Sequence, residues 1–412
     1  MRILYLTNGF PYPLTSGYLR HYFLIKELAP HHAITLLSIV GATFASEHAA
    51  AMAPFVERVV TFTSASKSGS FRRKATSRIR SITNGGQGHR AVQEMGATIQ
   101  QLIQREHFDA VLFSGKDTYP ALAGLHRLPI VADMCDATSL RIRGSMRYAS
   151  LLRLPLLLLA YRQVRRVEGQ LMRRAAHVLF DSARDREALL RGDGDHASVI
   201  PNGVDVDFWK RSSRERGVDT IVFTGAMSYP PNADAALYLI EEILPVIRQS
   251  VPGAQLLIVG RDPTPRLVHA GRQPGVTVTG FVDDVRPYLE RATVFAAPLR
   301  FGAGIQNKLL EALAMEVPVV ASSLAADGLR TEAGQRPPVK VASDRLQFAG
   351  LVAQQLKRRA DLPAPDLEAR QYVRDHFVWS RSGEKLGQVM GAVVNQWSRD
   401  TQCFPEHCAS PS

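Results

Sequence analysis

Cysteine is scarce in this chain. Cys135, Cys403 and Cys408 are the only three among 412 residues. They are too few for a disulfide scaffold and lack zinc-ligand spacing, which points to a reducing compartment and no metal site. Long apolar runs are also missing. No segment approaches the roughly 20 apolar residues of a bilayer span. The opening residues, MRILYLTNGFPYP, carry an apolar run too short for a secretory signal, and Pro11 breaks it. A cytoplasmic place is therefore expected. No repeat with a period of about 20–50 residues is visible, which argues against a solenoid.

Acidic residues are short in one region. The chain carries 50 Lys and Arg against 38 Asp and Glu, a net charge of +12. Between Arg58 and Arg191 basic residues outnumber acidic ones by more than two to one. The stretch SKSGSFRRKATSRIR, Ser66–Arg80, has no acid at all. Such a surface attracts polyanions or anionic headgroups, and a solvated basic loop would look the same. The basic stretch has no interleaved aromatics, and no helix-turn-helix or zinc spacing appears, so nucleic acid is not an expected partner.

What is present is alternation. Short β-branched runs alternate with helix-period segments, the pattern of an α/β protein with parallel sheets. RILYLT, AITLLSIV, RVVTF, AVLFSG, PIVADM, HVLFDS and SVIPN read as strands of a first half. TIVFTG, QLLIVG, VTVTGF, TVFAAPL and PVVAS read as strands of a second. The pattern runs down at RERGVDT and restarts. This predicts two doubly wound Rossmann-like domains, residues 1–203 and 204–376, facing each other across a cleft. A final helix over 377–397 and a frayed tail over 398–412 follow.

Ligands of open α/β sheets sit beyond the carboxyl ends of the strands. Five places there carry chemistry. After the first strand, Gly17 opens a helix where backbone N–H groups can meet phosphate, with Arg20 to add charge. A plain βα turn is the alternative. Gly225 and Gly260 end strands of the second half, with Arg261 beside the latter. Asn232 reads as a structural N-cap for the helix after it. PLRFGAGIQNKLLEALAMEVPVVAS, Pro298–Ser322, is a strand, a glycine turn and an amphipathic helix. The free amides at Gly304, Ile305, Gln306 and Asn307 suit a diphosphate. Lys308 supplies a mobile cation, and Glu311, one turn on, can accept two ribose hydroxyls. An exposed i,i+3 ion pair is the plain alternative. Asp133 and Asp136 end a first-half strand and suit hydroxyl binding or proton transfer, with helix capping by Asp136 or Thr138 beside that reading. Finally, RYASLLRLPLLLLAYRQVRR, Arg147–Arg166, is apolar between arginines. It reads either as a core helix or as a segment lying in a membrane interface.

Taken together, VIPNGVDVDFW, FTGAMSYPPNADA, IVGRDP, VTGFVDDVRPYL and the Pro298–Ser322 stretch follow in an order and spacing that resembles the GT-B glycosyltransferases of family 4. Within that family the chain is similar to bacterial transferases associated with exopolysaccharide systems. The resemblance covers nearly the whole chain. It implies a retaining, metal-independent hexosyltransferase without a cofactor, moving sugar from a nucleotide-diphosphate sugar to a glycan or lipid-linked acceptor. It places the donor on the C-terminal domain, the acceptor on the N-terminal one, and a last helix crossing back. By position it implies that Glu311 binds the nucleotide ribose, that Gly304, Ile305 and Gln306 lie around the donor sugar and phosphates, and that Gly17 lies near the diphosphate. The chain departs from the family pattern at Ala303, where many members carry a second glutamate. It departs again in GAMSYPPNADA, which lacks an Arg-Lys pair, leaving Lys308, Arg261 or Arg300 to supply positive charge. Asp133 and Asp136 stand where many members have a histidine. A sugar-nucleotide epimerase or hydrolase on the same fold, and an inactive transferase, are the alternatives. An anionic membrane surface, on the inner face of the plasma membrane, is a further expected partner.

Overall fold

The computed structural model describes residues 1–14, 18–41, 44–64, 87–190, 194, 196–212, 219–358 and 367–403. Gly17 and the Ser66–Arg80 stretch lie outside the described residues.

The first sheet contains β1 (Arg2–Thr7), β2 (Ala33–Val40), β3 (Arg58–Thr63), β4 (Ala110–Ser114), β5 (Ile130–Cys135), β6 (His177–Phe180) and β7 (Ala197–Val199). They pair in parallel in the order β3-β2-β1-β4-β5-β6-β7. The second sheet contains β8 (Thr220–Thr224), β9 (Gln255–Val259), β10 (Val276–Val278), β11 (Val294–Ala297), β12 (Val319–Ser322) and β13 (Lys340–Ala342). Its order is β10-β9-β8-β11-β12-β13, again all parallel. In each sheet the order reverses beside the first strand, and a crevice opens there at the carboxyl end.

Strand alternation explains why both faces of each sheet are apolar. In β1, Ile3 and Tyr5 join one buried cluster with Leu24, Ile34 and Leu36. Leu4 and Leu6 join another on the opposite face with Leu37, Val111 and Phe113. The second sheet has its own core around Phe223, Ile258, Phe295 and Leu309.

The helices that position the site are α1 (Leu19–Leu28), α2 (Thr138–Ser145), α3 (Leu154–Arg174), α4 (Ala183–Leu189), α5 (Pro230–Tyr238), α6 (Asn307–Ala314) and α7 (Trp379–Cys403). Helix α7 returns to the first domain. Trp379, Leu386, Met390 and Val393 are buried in the core cluster that holds Ile3 and Leu24. The Trp379 ring stacks on Phe23 at 4.8 Å between centroids, nearly coplanar at 6°. The Ser382 hydroxyl donates to the Pro201 carbonyl at 2.8 Å, which holds the start of α7 against the chain between the two sheets.

The segment around α3 is not core. Leu151 and Leu152 are 82% and 91% exposed, and Leu156, Leu158 and Leu159 are exposed too. Of α3, the buried residues are Glu168 and Leu171, both near its far end.

Candidate functional site

Strand ends of the second sheet converge on α6. Gly260, just past β9, has φ +148°, and a Cβ there would lie 1.8 Å from the Gly225 carbonyl oxygen. Only glycine permits that approach. The Gly225 amide in turn donates to the Val259 carbonyl at 3.0 Å. On its other side, the Cβ position of Gly225 is 3.4 Å from Lys308 Cε. The glycines at these strand ends therefore make room for a lysine.

Lys308 is buried. Its Nζ donates to Asn232 Oδ1 at 2.6 Å and to Gln306 Oε1 at 3.2 Å, and lies 5.3 Å from the Phe223 ring centroid. Burial lowers its ammonium to about 8, with the Glu311 carboxylate acting against the fall. Glu311 is half-buried on the same helix. Burial pushes its carboxyl up to about 7, with Lys308 opposing. Each charge is thus held out of water, and neither is a solvated surface group.

Asn232 does not cap its helix. Tyr229 occupies the N-cap of α5, and Asn232 lies inside the first turn. Its carbonyl receives Lys308 and its amide donates to the Ala226 carbonyl at 3.0 Å. The other cations named from sequence are engaged elsewhere. Arg300 clamps Asp234 at 2.9 and 2.6 Å between the Tyr148 and Tyr238 rings. Arg261 pairs with its exposed neighbour Asp262 at 3.3 Å.

On the first domain, Arg20 is buried rather than turned to the cleft. It donates to both Asp133 oxygens at 2.9 and 3.1 Å, to the Ile200 carbonyl at 2.9 Å and to Asn202 Oδ1 at 2.8 Å. Burial raises the Asp133 carboxyl, but the Arg20 guanidinium outweighs that and holds it below the ordinary range. The expectation that Arg20 lends charge to a phosphate, and that Asp133 binds hydroxyls or moves a proton, is corrected by this geometry. The two residues satisfy each other. Asn202 passes the link on, donating to Asn307 Oδ1 of α6 at 3.0 Å.

Asp136 is placed differently. Its side chain is 27% exposed and takes the Thr138 hydroxyl at 2.6 Å, with Lys116 Nζ at 3.5 Å. Burial raises it, yet Lys116, Arg141 and Thr138 together hold it below the usual carboxylate range. The first amides of α2 are taken by other carboxylates. Asp185 accepts from Ala137 N at 2.7 Å and Glu168 from Ser139 N at 3.1 Å. Asp136 is therefore an ionised group at the domain interface and not the cap.

Sequence reasoning missed Asp181 and Asp185. Asp181 follows β6 as Asp136 follows β5, and that strand-end position was the available signal. Both reach across to the donor loop. Asp185 Oδ2 accepts from Gly304 N at 2.8 Å, and Asp181 Oδ2 from Ile305 N at 3.2 Å. Gly304 has φ +68°, and a Cβ there would lie 2.4 Å from Asp181 Oδ2 and 3.1 Å from Asp136 Cβ. The second Asp181 oxygen is buried without a hydrogen-bond partner. Burial and the neighbouring Asp185 push the Asp181 carboxyl well above the usual range, with Arg20 acting against them.

Two facing Rossmann-like sheets with a crossing last helix define the GT-B fold. Residues 218–357 match the family model described as glycosyl transferases group 1. The phosphatidyl-myo-inositol mannosyltransferase of Mycobacterium tuberculosis H37Rv is 36% identical over 139 residues, which is 32% of this chain. That of Mycobacterium leprae is 33% identical over the same length. The alignment spans 36% of the length of these curated relatives. Anabaena HepE, solved with UDP and glucose, superposes with a TM-score of 0.64 at 15% identity, covering 94% of this chain and 99% of HepE. Sucrose-phosphate synthase from Thermosynechococcus elongatus gives 0.69 at 13% identity, over 96% and 100%. WaaG, a glycosyltransferase involved in lipopolysaccharide biosynthesis, gives 0.59 at 14%, over 94% and 99%. At these identities the structural likeness carries the fold.

Proposed function

We propose that this protein is a retaining glycosyltransferase that moves a sugar from a nucleotide-diphosphate sugar to a glycan or lipid-linked acceptor in cell-surface polysaccharide synthesis. The observation that carries the reading is the buried Lys308–Glu311 pair behind the glycine-lined strand ends. A desolvated ammonium beside free helix amides is built for an anion, and a half-buried carboxyl one turn on for hydroxyls. In this reading Lys308 leaves Asn232 and Gln306 for the diphosphate, and Glu311 takes the ribose. Asp136, across the interface, orients the acceptor hydroxyl or steadies positive charge developing on the sugar ring. The group 1 match over the C-terminal domain supports a nucleotide-sugar donor, and the printed name of the mycobacterial relatives supports a lipid acceptor.

The exposed leucines favour a membrane-bound acceptor. Leu151, Leu152 and Leu156 project beside Arg147, Arg153 and Arg162, an apolar tip in a basic collar suited to an anionic leaflet. Tyr148, next to this tip, stacks on Phe301 of the donor domain at 5.8 Å, so the apolar surface borders the cleft.

The test is a thermal-shift screen of nucleotide sugars, followed by transfer assays with lipid-linked acceptors. A ligand at 100 times its dissociation constant stabilises by about 2.7 kcal/mol. A stabilising nucleotide sugar whose nucleotide is released only with acceptor supports transfer. Release or rearrangement without acceptor indicates a hydrolase or epimerase. No stabilisation by any nucleotide sugar overturns the reading.

A further inference from the structure

The Gly304 and Ile305 amides, which the proposed function assigns to the donor, already have partners. Those partners are carboxylates of the opposite domain. A backbone N–H is a single donor and cannot serve a carboxylate and a ligand oxygen at once. Nor is there space for both, since the Cβ position of Gly304 lies 2.4 Å from Asp181 Oδ2. We propose that Asp181 and Asp185 form a latch that closes the resting cleft by holding these amides, and that the anionic donor opens it by taking the amides over. This rests on the donor reading above.

Two further observations support it. First, the latch is ill-satisfied on one side. Asp181 leaves one buried oxygen without a partner, and Asp185 and Asp136 crowd it, with Arg20 as the counter-charge. Asp185 is firmly held, since the same oxygen that meets Gly304 also accepts Ala137 N. One well-anchored carboxylate and one poorly satisfied one make a contact that exchanges readily. Second, the closure extends along α4. Arg184 donates to the Leu324 carbonyl at 2.8 Å, Glu187 pairs with Arg330 at 2.7 Å, and Arg186 pairs with Glu332 at 3.0 Å. The exposed pairs add little strength, but all of them break together if α4 leaves the Gly304 loop. That is the geometry of a two-position interface. The apparent affinity of a ligand falls by the fraction of molecules able to receive it, so weakening the latch strengthens donor binding.

The experiment uses the full chain and Asp181→Ala, read in two ways. Hydrogen exchange by mass spectrometry follows the peptides spanning Phe301–Leu310. Calorimetry gives the affinity for UDP and for GDP. Loss of one net hydrogen bond implies about three- to tenfold faster exchange in those peptides, and about three- to tenfold tighter binding of whichever nucleoside diphosphate binds the parent. Unchanged exchange overturns the latch. Faster exchange with unchanged or weaker binding overturns the competition. If neither nucleoside diphosphate binds the parent, the donor reading fails, while the exchange result alone still decides whether the carboxylates hold the loop. The substitution removes an unpaired buried oxygen, so the fold should stand. If it does not, Asp181→Ser carries the same expectations.

Discussion

Replacing Lys308 by methionine separates what this lysine costs the fold from what it gives the ligand. Its ammonium falls from 10.5 to about 8 because burial penalises the charge. That shift corresponds to about 3 kcal/mol lost by the charged form. The sign follows directly. Between about 8 and 10.5 the unfolded chain holds this proton and the folded chain does not, so the penalty on the fold fades as pH rises through that window. Lys308→Met removes the penalty at neutral pH but strands Asn232 Oδ1 and Gln306 Oε1, each a loss of about 1 kcal/mol. The free protein should therefore change little in melting temperature. A bound diphosphate would restore the lysine to its ordinary range, so up to about 3 kcal/mol, roughly a hundredfold in affinity, should vanish in the variant. Calorimetry at pH 8.5 in buffers of different ionisation enthalpy supplies an independent check. The parent should take up most of one proton per nucleoside diphosphate bound, and Lys308→Met none. Equal affinities with no proton uptake by the parent would refute the assignment.

Three other outcomes are expected. Glu311→Gln should weaken nucleoside diphosphate binding by roughly 1.5–3 kcal/mol while leaving pyrophosphate binding alone; because burial raises Glu311 from 4.5 to about 7, the parent should lose stability as pH climbs through that interval, and the variant should lack this slope in urea titrations. Asp136→Asn should lower turnover about 10²-fold with nucleotide affinity kept, as for one lost transition-state contact; a parental rate would reduce Asp136 to a structural partner of Lys116 and Thr138. Leu151→Ser combined with Leu152→Ser should abolish sedimentation with anionic vesicles without changing the melting temperature, since both side chains are exposed; unchanged sedimentation would move the membrane contact elsewhere.

The strands and the two-sheet plan were legible because alternation and β-branched runs are local signals. The exception, β13, is three residues long behind Pro337 and Pro338, too short for a period to show. The turn at Gly304 and the Lys308–Glu311 spacing were equally local. What sequence could not supply was partnership. Arg20 and Asp133 stand 113 residues apart, and only the folded sheet reveals that they neutralise each other. Asp181 and Asp136 both end strands, yet one is crowded by Asp185 and the other stabilised by Lys116. The same limit applies to Arg147–Arg166. Its apolar pattern fits a core helix as well as an exposed one, and burial depends on whether any other element covers it.

The return of α7 to the first domain bears on how the molecule is made. The ribosome releases residues 1–203 long before Trp379 and Leu386 exist, so the face of the first sheet holding Ile3, Leu24 and Leu36 emerges without its cover. A nascent chain at that stage has a finished sheet and an open apolar flank, a species prone to association until synthesis ends. The second domain, whose core draws on Val204–Phe377, needs nothing from α7. It is the half that can mature while the first waits. A first domain expressed by itself should accordingly need the α7 segment, supplied on the same chain or added as a peptide, to become soluble.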